Sequence, residues 1–250
     1  MKRLICLFAL LFTLQTQAQN ITLDGALQLK EAKKWKEAFD AFSLLLKSDS
    51  TNVDYLTNAS YLYSKLGNLK TAEAERQAFF NKALYLANKA RNINPSSAQA
   101  HYMIALALGR INEHASNKQK IANAKLIKNE CDTAVKLDPK LAGAYHILGR
   151  WHRTVAGFNF IEKAMINTLF GGVPEGGSYE AAIDNFSKAI LLEPDEMLHK
   201  FELAETYRER NNDGDDIKAN VWYKKVLEMK AKDEDERGMQ EKAMKKVNSN

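Results

Sequence analysis

The sequence is poor in cysteine and proline, and this narrows what can stabilise the chain. It contains two cysteines and four prolines among 250 residues. Cys6 lies in an apolar leader, so only Cys131 would remain in a processed chain. A single cysteine excludes an intramolecular disulfide. Stability must therefore come from an apolar core, which a 45% share of hydrophobic residues can supply.

The sequence also has no large excess of one charge. It carries 36 lysines and arginines against 31 acidic residues, for a formal net charge of +5, and the two signs alternate along most of the chain. Nucleic-acid-binding domains instead concentrate basic residues on one face. We therefore expect no nucleic-acid partner.

No apolar run is long enough to span a bilayer, which needs roughly 20 residues. The longest, Leu4 to Leu14, follows Lys2 and Arg3 and precedes the small-x-small site Thr16-Gln17-Ala18. This order is typical of a cleavable secretory signal. We predict a signal peptide over residues 1–18, a single mature domain over 19–250 without a transmembrane helix, and a periplasmic or secreted protein.

Catalytic and metal-binding motifs are also missing. No His-Glu-x-x-His is present, and His146 and His152, six residues apart, point away from each other on a helix. The loop Gly171 to Gly177 lacks the Lys-Ser/Thr ending of a phosphate-binding loop. Cys131 occupies a packing position equivalent to that of Phe186, which favours a buried thiol. We predict no enzyme, no metal and no cofactor.

What the sequence does contain is a repeat. Pro95, Pro139 and Pro194 each follow the pattern Ala-x-x-apolar-(Asn/Asp/Glu), at intervals of 44 and 55 residues. Proline cannot continue a helix, so each copy ends a helix and starts a turn. The intervals exceed the roughly 34 residues of a tetratricopeptide unit, so we expect extended helices or an insertion.

The spacing of rings and small residues identifies the unit. Tyr145, Leu148-Gly149 and Trp151 lie along one predicted helix, and Ala182, Phe186 and Ala189 along its mate. Such a pair cannot bury its apolar stripe alone and must stack on copies of itself. We predict an all-α, right-handed solenoid of about five tetratricopeptide-like pairs with a C-terminal capping helix. The predicted pairs are 23–33 with 36–47, 53–68 with 70–92, 98–113 with 118–136, a fourth around Tyr145 and Phe186, and 197–210 with 217–229, followed by a cap over 233–247.

The fourth pair carries an insertion, residues 153–178, with apolar residues at helical spacing and a glycine-rich end. They are Phe158, Phe160, Ile161, Met165, Leu169 and Phe170. One interpretation is that this segment folds back as ordinary core. The alternative is a hydrophobic lid or one wall of a ligand pocket.

The first helix of each pair should line a concave groove. Taking Tyr145 as a packing residue, helical geometry turns one set of side chains towards that groove. The set comprises Asn58, Tyr61, Lys65, Tyr102, Met103, Leu106, Arg110, His146, Ile147, Arg150, Arg153, Phe201, Glu202 and Glu205. Aromatic rings beside arginine guanidinium groups suit an acidic peptide or an amphipathic acidic ligand. Alternatively, Arg150 and Arg153 pair with Glu202 or Glu205 and only complete the wall.

Three segments carry a family resemblance: 100–110, 143–151, and Leu169-Phe170-Gly171-Gly172 before Tyr179. Across residues 98–228 the chain resembles the regulator of microtubule dynamics family of tetratricopeptide proteins. Its eukaryotic members are linked to microtubules or to membrane contact sites, where lipid handling has been proposed. Because the leader predicts export, the resemblance implies a non-enzymatic repeat domain with a groove and not a microtubule function.

We therefore predict an exported scaffold or adaptor that binds a protein or peptide segment in its groove. The alternative is a carrier of a lipid or other amphipathic acidic molecule, held between the insertion and the arginines. A third possibility is a structural subunit that self-associates through its ends or convex face.

Overall fold

The computed structural model describes residues 21–170, 172 and 175–248, with only the backbone of Leu169 and Phe170. Within these ranges the chain forms twelve α-helices and no strand. They are α1 (Leu23–Glu31), α2 (Trp35–Ser48), α3 (Val53–Asn68), α4 (Glu73–Ile93), α5 (Ala98–Asn112), α6 (Asn117–Leu137), α7 (Ala142–Ala156), α8 (Phe160–Phe170), α9 (Tyr179–Leu192), α10 (Met197–Arg210), α11 (Asp215–Glu228) and α12 (Glu234–Asn248). The predicted signal peptide lies outside the described residues. No helix in the described ranges is long and apolar enough to cross a membrane.

The helices stack as five consecutive pairs. The pairs are α1 with α2, α3 with α4, α5 with α6, α7 with α9, and α10 with α11, and each also packs on the next pair. The predicted tetratricopeptide-like solenoid is confirmed. Because α5 is covered by α3, α4, α6 and α7, nearly half of its side chains are buried. The core is therefore continuous through the middle of the stack.

The repeated motif ends helices through a local hydrogen bond. At the end of α4, the Asn94 side chain accepts from the backbone N–H of Ser96 at 3.0 Å. At the end of α6, Asp138 accepts from Lys140 at 2.9 Å. Asp49 closes α2 in the same way, although Ser50 stands where the later copies have proline. This side-chain turn defines the end of the helix even without proline.

Glycines in the first helices admit aromatic rings from the second. A Cβ on Gly149 of α7 would lie 2.8 Å from the Phe186 ring of α9. A Cβ on Gly67 of α3 would lie 2.5 Å from the Phe80 ring of α4. Both rings are completely buried. In these two pairs the glycine of the Leu-Gly signature thus lies where a ring of the partner helix packs.

Helix length accounts for the long repeat intervals. Helices α4 and α6 each have 21 residues, against 14 in α9 and α11. The 55-residue interval contains α8. The predicted start of the insertion at Arg153 is wrong, because α7 continues to Ala156. Arg153 therefore points from the last turn of α7 and not from a loop.

The inserted helix α8 lies outside the stack. Phe160, Ile161 and Met165 are 86%, 69% and 50% exposed, and no other helix in the described chain packs along α8. The interpretation that the insertion is ordinary core is wrong for these three residues. Phe158, which precedes the helix, is half-buried against the central core, and Ile166 is buried. The side chains of Leu169 and Phe170 lie outside the described residues.

The last helix covers the final pair. Met239, Ala243 and Val247 of α12 pack into a cluster with residues of α10 and α11. The predicted capping position of this helix is thus present. The opposite side of its first turn is acidic and faces the beginning of the chain.

Candidate functional site

The side chains predicted to line the groove come from the first helices of the pairs. We call the surface formed by α1, α3, α5, α7 and α10 the inner face. Its composition changes along the stack from lysines and rings on α1 and α3, through arginines on α5 and α7, to acidic residues on α10. Ion pairs of Lys33 and Lys65 with the first turn of α12 connect the two ends of the chain beside this face.

At the N-terminal end, cations and rings alternate. Lys30 Nζ donates to Asn58 Oδ1 at 2.5 Å and lies 5.3 Å from the centre of the Tyr61 ring. The Tyr61 ring is 6.1 Å from that of Trp35. Burial, helped by the nearby acidic Glu196, raises the pKa of Tyr61 to about 12. Burial also lowers the pKa of Lys30, despite the nearby Glu31 and Glu193.

The centre of the inner face is tightly packed. The Tyr102 ring lies against Gly143, where a Cβ would be 2.4 Å away, and burial raises the pKa of Tyr102. Leu106 and Ile147 are half-buried against the central core. Met103 is fully buried in that core. Its predicted place in the groove is wrong, because the helices around α5 cover that side.

The three predicted arginines differ in how far they are neutralised. Arg153 Nη2 contacts Glu202 at 2.6 Å and its Nε lies 3.5 Å from Glu209. Arg110 pairs with Glu113 at the end of its own helix at 3.1 Å. The Arg150 side chain is 49% exposed, and its Nε is 3.9 Å from Glu202. Ion pairs with Glu202, one of the two sequence interpretations, are thus present, and Arg150 retains the most capacity for an external carboxylate.

The C-terminal end of the predicted set serves packing. Phe201 is half-buried, 6.0 Å from the Tyr223 ring. Glu205 accepts a hydrogen bond from the Tyr223 hydroxyl. Burial, together with this bond to Glu205, raises the pKa of Tyr223.

Two histidines from different pairs form a contact that sequence spacing did not reveal. His146 of α7 and His199 of α10 are buried with their Nδ1 atoms 2.9 Å apart. The predicted place of His146 in the groove is therefore wrong, because its ring packs between α9 and α10. His199 Nε2 lies 3.3 Å from Glu193. Burial, then the proximity of His199 and Arg150, lowers the pKa of His146 well below its usual value. Such a pair requires one ring to donate and the other to accept.

The ends of the solenoid are joined by ion pairs across the inner face. Lys33, in the turn between α1 and α2, contacts Glu236 of α12 at 2.5 Å and Asp233 at 3.8 Å. Lys65 of α3 contacts Asp235 at 2.7 Å. These contacts link residues 203 and 170 positions apart. In the sequence, the only trace of this contact is the acidic run Asp233 to Glu236. Helical periodicity does not show which lysines this run meets.

The inner face offers groups that bind carboxylates. Lysine ammonium groups lie over aromatic rings at its N-terminal end, which favours acidic groups with an apolar surface nearby. In the described part of the chain, no three His, Cys, Asp or Glu residues are placed to hold a metal ion. Burial raises the pKa of the Cys131 thiol, which suppresses the thiolate that a nucleophile needs.

Comparison with other sequences gives a consistent assignment. The family model described as regulator of microtubule dynamics protein 1-3 matches residues 22–250. Regulator of microtubule dynamics protein 1 of Bos taurus is 31% identical over 174 residues, which cover 69% of this chain and 54% of that protein. Protein 2 of Homo sapiens is 28% identical over 184 residues, covering 72% and 45%. The chain thus spans about half the length of these relatives, and the match extends beyond residues 98–228.

Solved structures agree on the fold. A thermophilic TPR protein of Thermus thermophilus aligns with a TM-score of 0.62 and 19% identity, covering 89% of this chain and 96% of that one. At this identity the likeness shows the architecture alone. What the inner face binds therefore depends on its own residues.

Proposed function

Because the chain belongs to the regulator of microtubule dynamics family and has the TPR solenoid fold, we propose that it is a non-enzymatic adaptor. Its inner face binds an acidic segment of another protein. TPR solenoids are extended scaffolds whose concave surfaces commonly take peptide segments. The chain spans half of its relatives, so their microtubule role is not transferred.

The observation that carries this proposal is the exposed arginine in an otherwise neutralised wall. Arg110 and Arg153 have acidic partners at 3.1 and 2.6 Å, whereas Arg150 is half-exposed with its nearest carboxylate at 3.9 Å. Ile147, one turn earlier on α7, and Tyr102 and Leu106 on the preceding first helix α5 are half-buried. A guanidinium beside apolar surface suits a carboxylate in a peptide with hydrophobic neighbours.

Export belongs to the same proposal. The leader motif of residues 1–18 supports processing before Gln19 and a periplasmic or secreted adaptor. The intact mass of the protein from its native cells tests this directly. A mass beginning at Gln19 supports export, and a mass including residues 1–18 contradicts it.

The binding role is tested by crosslinking and affinity purification of the full chain from its native cells. Arg150→Gln should reduce recovery of a stoichiometric partner by about tenfold, since a charge-assisted pair contributes roughly 1.5–3 kcal/mol. The matched control is Lys36→Gln, which removes an exposed cation on α2. Arg153 is a poor choice, because its removal would leave the half-buried Glu202 with only the more distant Arg150, at 3.9 Å, of its two arginine contacts.

The outcomes separate the candidate functions. Partner recovery that falls with Arg150→Gln and not with Lys36→Gln supports the adaptor. Equal recovery from all three chains removes Arg150 from the site. An organic extract that yields a stoichiometric lipid, with no protein partner, favours a carrier instead.

A further inference from the structure

The N-terminal end of the inner face already holds acidic groups from the same chain. We call Lys30, Lys33, Trp35, Tyr61 and Lys65 the basic edge. Lys65 Nζ lies 5.0 Å from the centre of the Trp35 ring, and Lys30 Nζ lies 5.3 Å from that of Tyr61. Two ammonium groups are therefore held over rings, which leaves their remaining donors for carboxylates.

The occupant is the first turn of α12. We call Asp233, Asp235 and Glu236 the acidic turn. Lys33 contacts Glu236 at 2.5 Å and Asp233 at 3.8 Å, and Lys65 contacts Asp235 at 2.7 Å. Burial would lower the pKa of Lys33, but the hydrogen bond to Glu236, with the charges of Glu196, Asp233 and Glu236, raises it instead.

Lys33 has a costly backbone for a lysine. Its φ is 55°, in the left-handed region where glycine is the usual residue. A residue other than glycine is disfavoured there, because its Cβ lies too close to the following carbonyl oxygen. The backbone conformation of this turn alone would favour glycine. We attribute the presence of lysine to its side chain, because its contacts with Glu236 and Asp233 offset the backbone cost.

The junction between the two ends consists of side chains and not of packed helices. No close helix packing joins α1 or α3 to α12 among the described residues. The Lys33 and Glu236 side chains are 15% and 3% exposed, whereas Asp235 is half-exposed and open to salt. Glu236 also accepts from the backbone N–H of Lys232 at 2.5 Å, so it keeps a partner when Lys33 leaves.

We propose that the acidic turn is a built-in ligand of the basic edge, and that the partner is an acidic polypeptide segment that replaces it. This inference rests on the proposed adaptor function and specifies its partner. In the closed chain, α12 competes for the lysines; when an acidic segment binds, the two ends separate and the inner face opens. The apparent affinity of the partner is then reduced by the fraction of closed chains.

A peptide of residues 230–248, fluorescently labelled, provides a probe of the required chemistry. Its control carries Asp233→Asn, Asp235→Asn and Glu236→Gln. Fluorescence anisotropy is measured with the wild-type full chain and with Asp235→Asn/Glu236→Gln, which frees the basic edge while leaving an amide to cap α12. If nine-tenths of wild-type chains are closed, the double variant binds the probe about tenfold more tightly. The control peptide should bind neither chain.

A third chain, Lys33→Gly/Lys65→Gln, removes the receiving cations and relieves the backbone of residue 33. It should fold and show no probe binding. Equal probe affinity in the wild type and the freed variant would overturn the competition, as would no binding to the freed variant. Neither result affects capture of the native partner through Arg150, so failure of this inference is distinguishable from failure of the adaptor function.

Exchanging the charges of Lys65 and Asp235 distinguishes loss of the ion pair from misfolding. Lys65→Glu and Asp235→Lys should each speed hydrogen exchange in the α1–α2 turn and the first turn of α12, while α5 and α6 stay protected. The two changes together restore the pair and should restore slow exchange. If the double exchange remains as fast as either single variant, the ion pair does not hold the ends together and the proposal fails.

Discussion

The Nδ1 atoms of His146 and His199 lie 2.9 Å apart in the buried contact between α7 and α10. Two imidazoles share this hydrogen bond only while at least one is neutral, because two imidazolium rings would both donate. His146 is also edge-on to the Phe186 ring at 5.5 Å, so little water is available to solvate a charge. The contact therefore makes the stability of the solenoid depend on pH.

The direction of this dependence follows from the pKa of His146. Burial, with His199 and the positive Arg150, Arg110 and Arg153 nearby, lowers this pKa well below 6.5, whereas the unfolded chain takes up the proton near 6.5. The stabilisation is complete above about pH 6.5 and is lost as the pH falls below it, by at most about 1.4 kcal/mol per unit. Urea unfolding between pH 7.5 and 5.5 measures this slope.

Asparagine at position 146 removes the titrating group and keeps an amide near the Nδ1 position. His146→Asn should flatten the slope, although its stability at pH 7.5 will be lower. The exposed His114 provides the control, since His114→Asn should keep the wild-type slope. A slope unchanged in His146→Asn would assign the pH dependence to other groups.

Three Leu-Gly glycines are expected to respond differently to alanine. A Cβ at Gly67 or Gly149 would lie within 3 Å of a buried ring, so each substitution should destabilise the chain by about 1–3 kcal/mol. At Gly109, no atom from elsewhere in the fold lies within 4 Å of the added Cβ. Gly109→Ala should stabilise the chain by up to about 1 kcal/mol, because alanine favours the helix.

Thermal and urea unfolding of the three alanine variants tests this contrast. Gly109 and Gly149 both follow a leucine inside a helix, so their gains in helix propensity are similar and the difference between them reports packing. Gly67 lies one residue before the end of α3, where this gain is smaller. Destabilisation of Gly109→Ala comparable to that of Gly149→Ala would show that the three helices pack alike.

The glycine contrast also shows where sequence reasoning ends. The Leu-Gly pattern and the proline motif predicted the helix pairs, since both report local geometry. Neither pattern shows which ring reaches which glycine, because that depends on helix length and the offset between partners. The contact between Lys33 and Glu236 was missed for a related reason: it depends on the superhelical curvature accumulated over five pairs.

A buried ion pair joins α10 and α11, the two helices of the fifth pair. Asp215, at the start of α11, is 1% exposed and accepts from Arg210 Nε at 2.8 Å and Nη2 at 2.7 Å. The hydrogen bond to Arg210 lowers the pKa of Asp215 to about 2. Arg210→Met should cost about 1.5–3 kcal/mol, because it removes the charge-assisted hydrogen bonds to a buried carboxylate and leaves Lys218, at 3.6 Å, as the remaining cation.

Urea unfolding at pH 7 measures this cost. Lys36→Met, which removes an exposed partner of Asp40, should leave the free energy of unfolding unchanged, because water and salt screen this pair. Arg210→Met/Asp215→Asn should recover much of the loss, since the amide carries no charge. A single variant as stable as Lys36→Met would mean that solvent reaches the carboxylate.

Helix α8 carries an exposed apolar surface. Phe160, Ile161 and Met165 are exposed, so replacing all three with serine should change the free energy of unfolding by less than about 0.5 kcal/mol. Phe186→Ala, in the fully buried core, should cost about 3–5 kcal/mol. If the triple variant loses stability on the scale of Phe186→Ala, the helix packs against the stack in solution and the core interpretation of the insertion returns. If it stays stable while recovery of the native partner falls, α8 contributes to the binding surface.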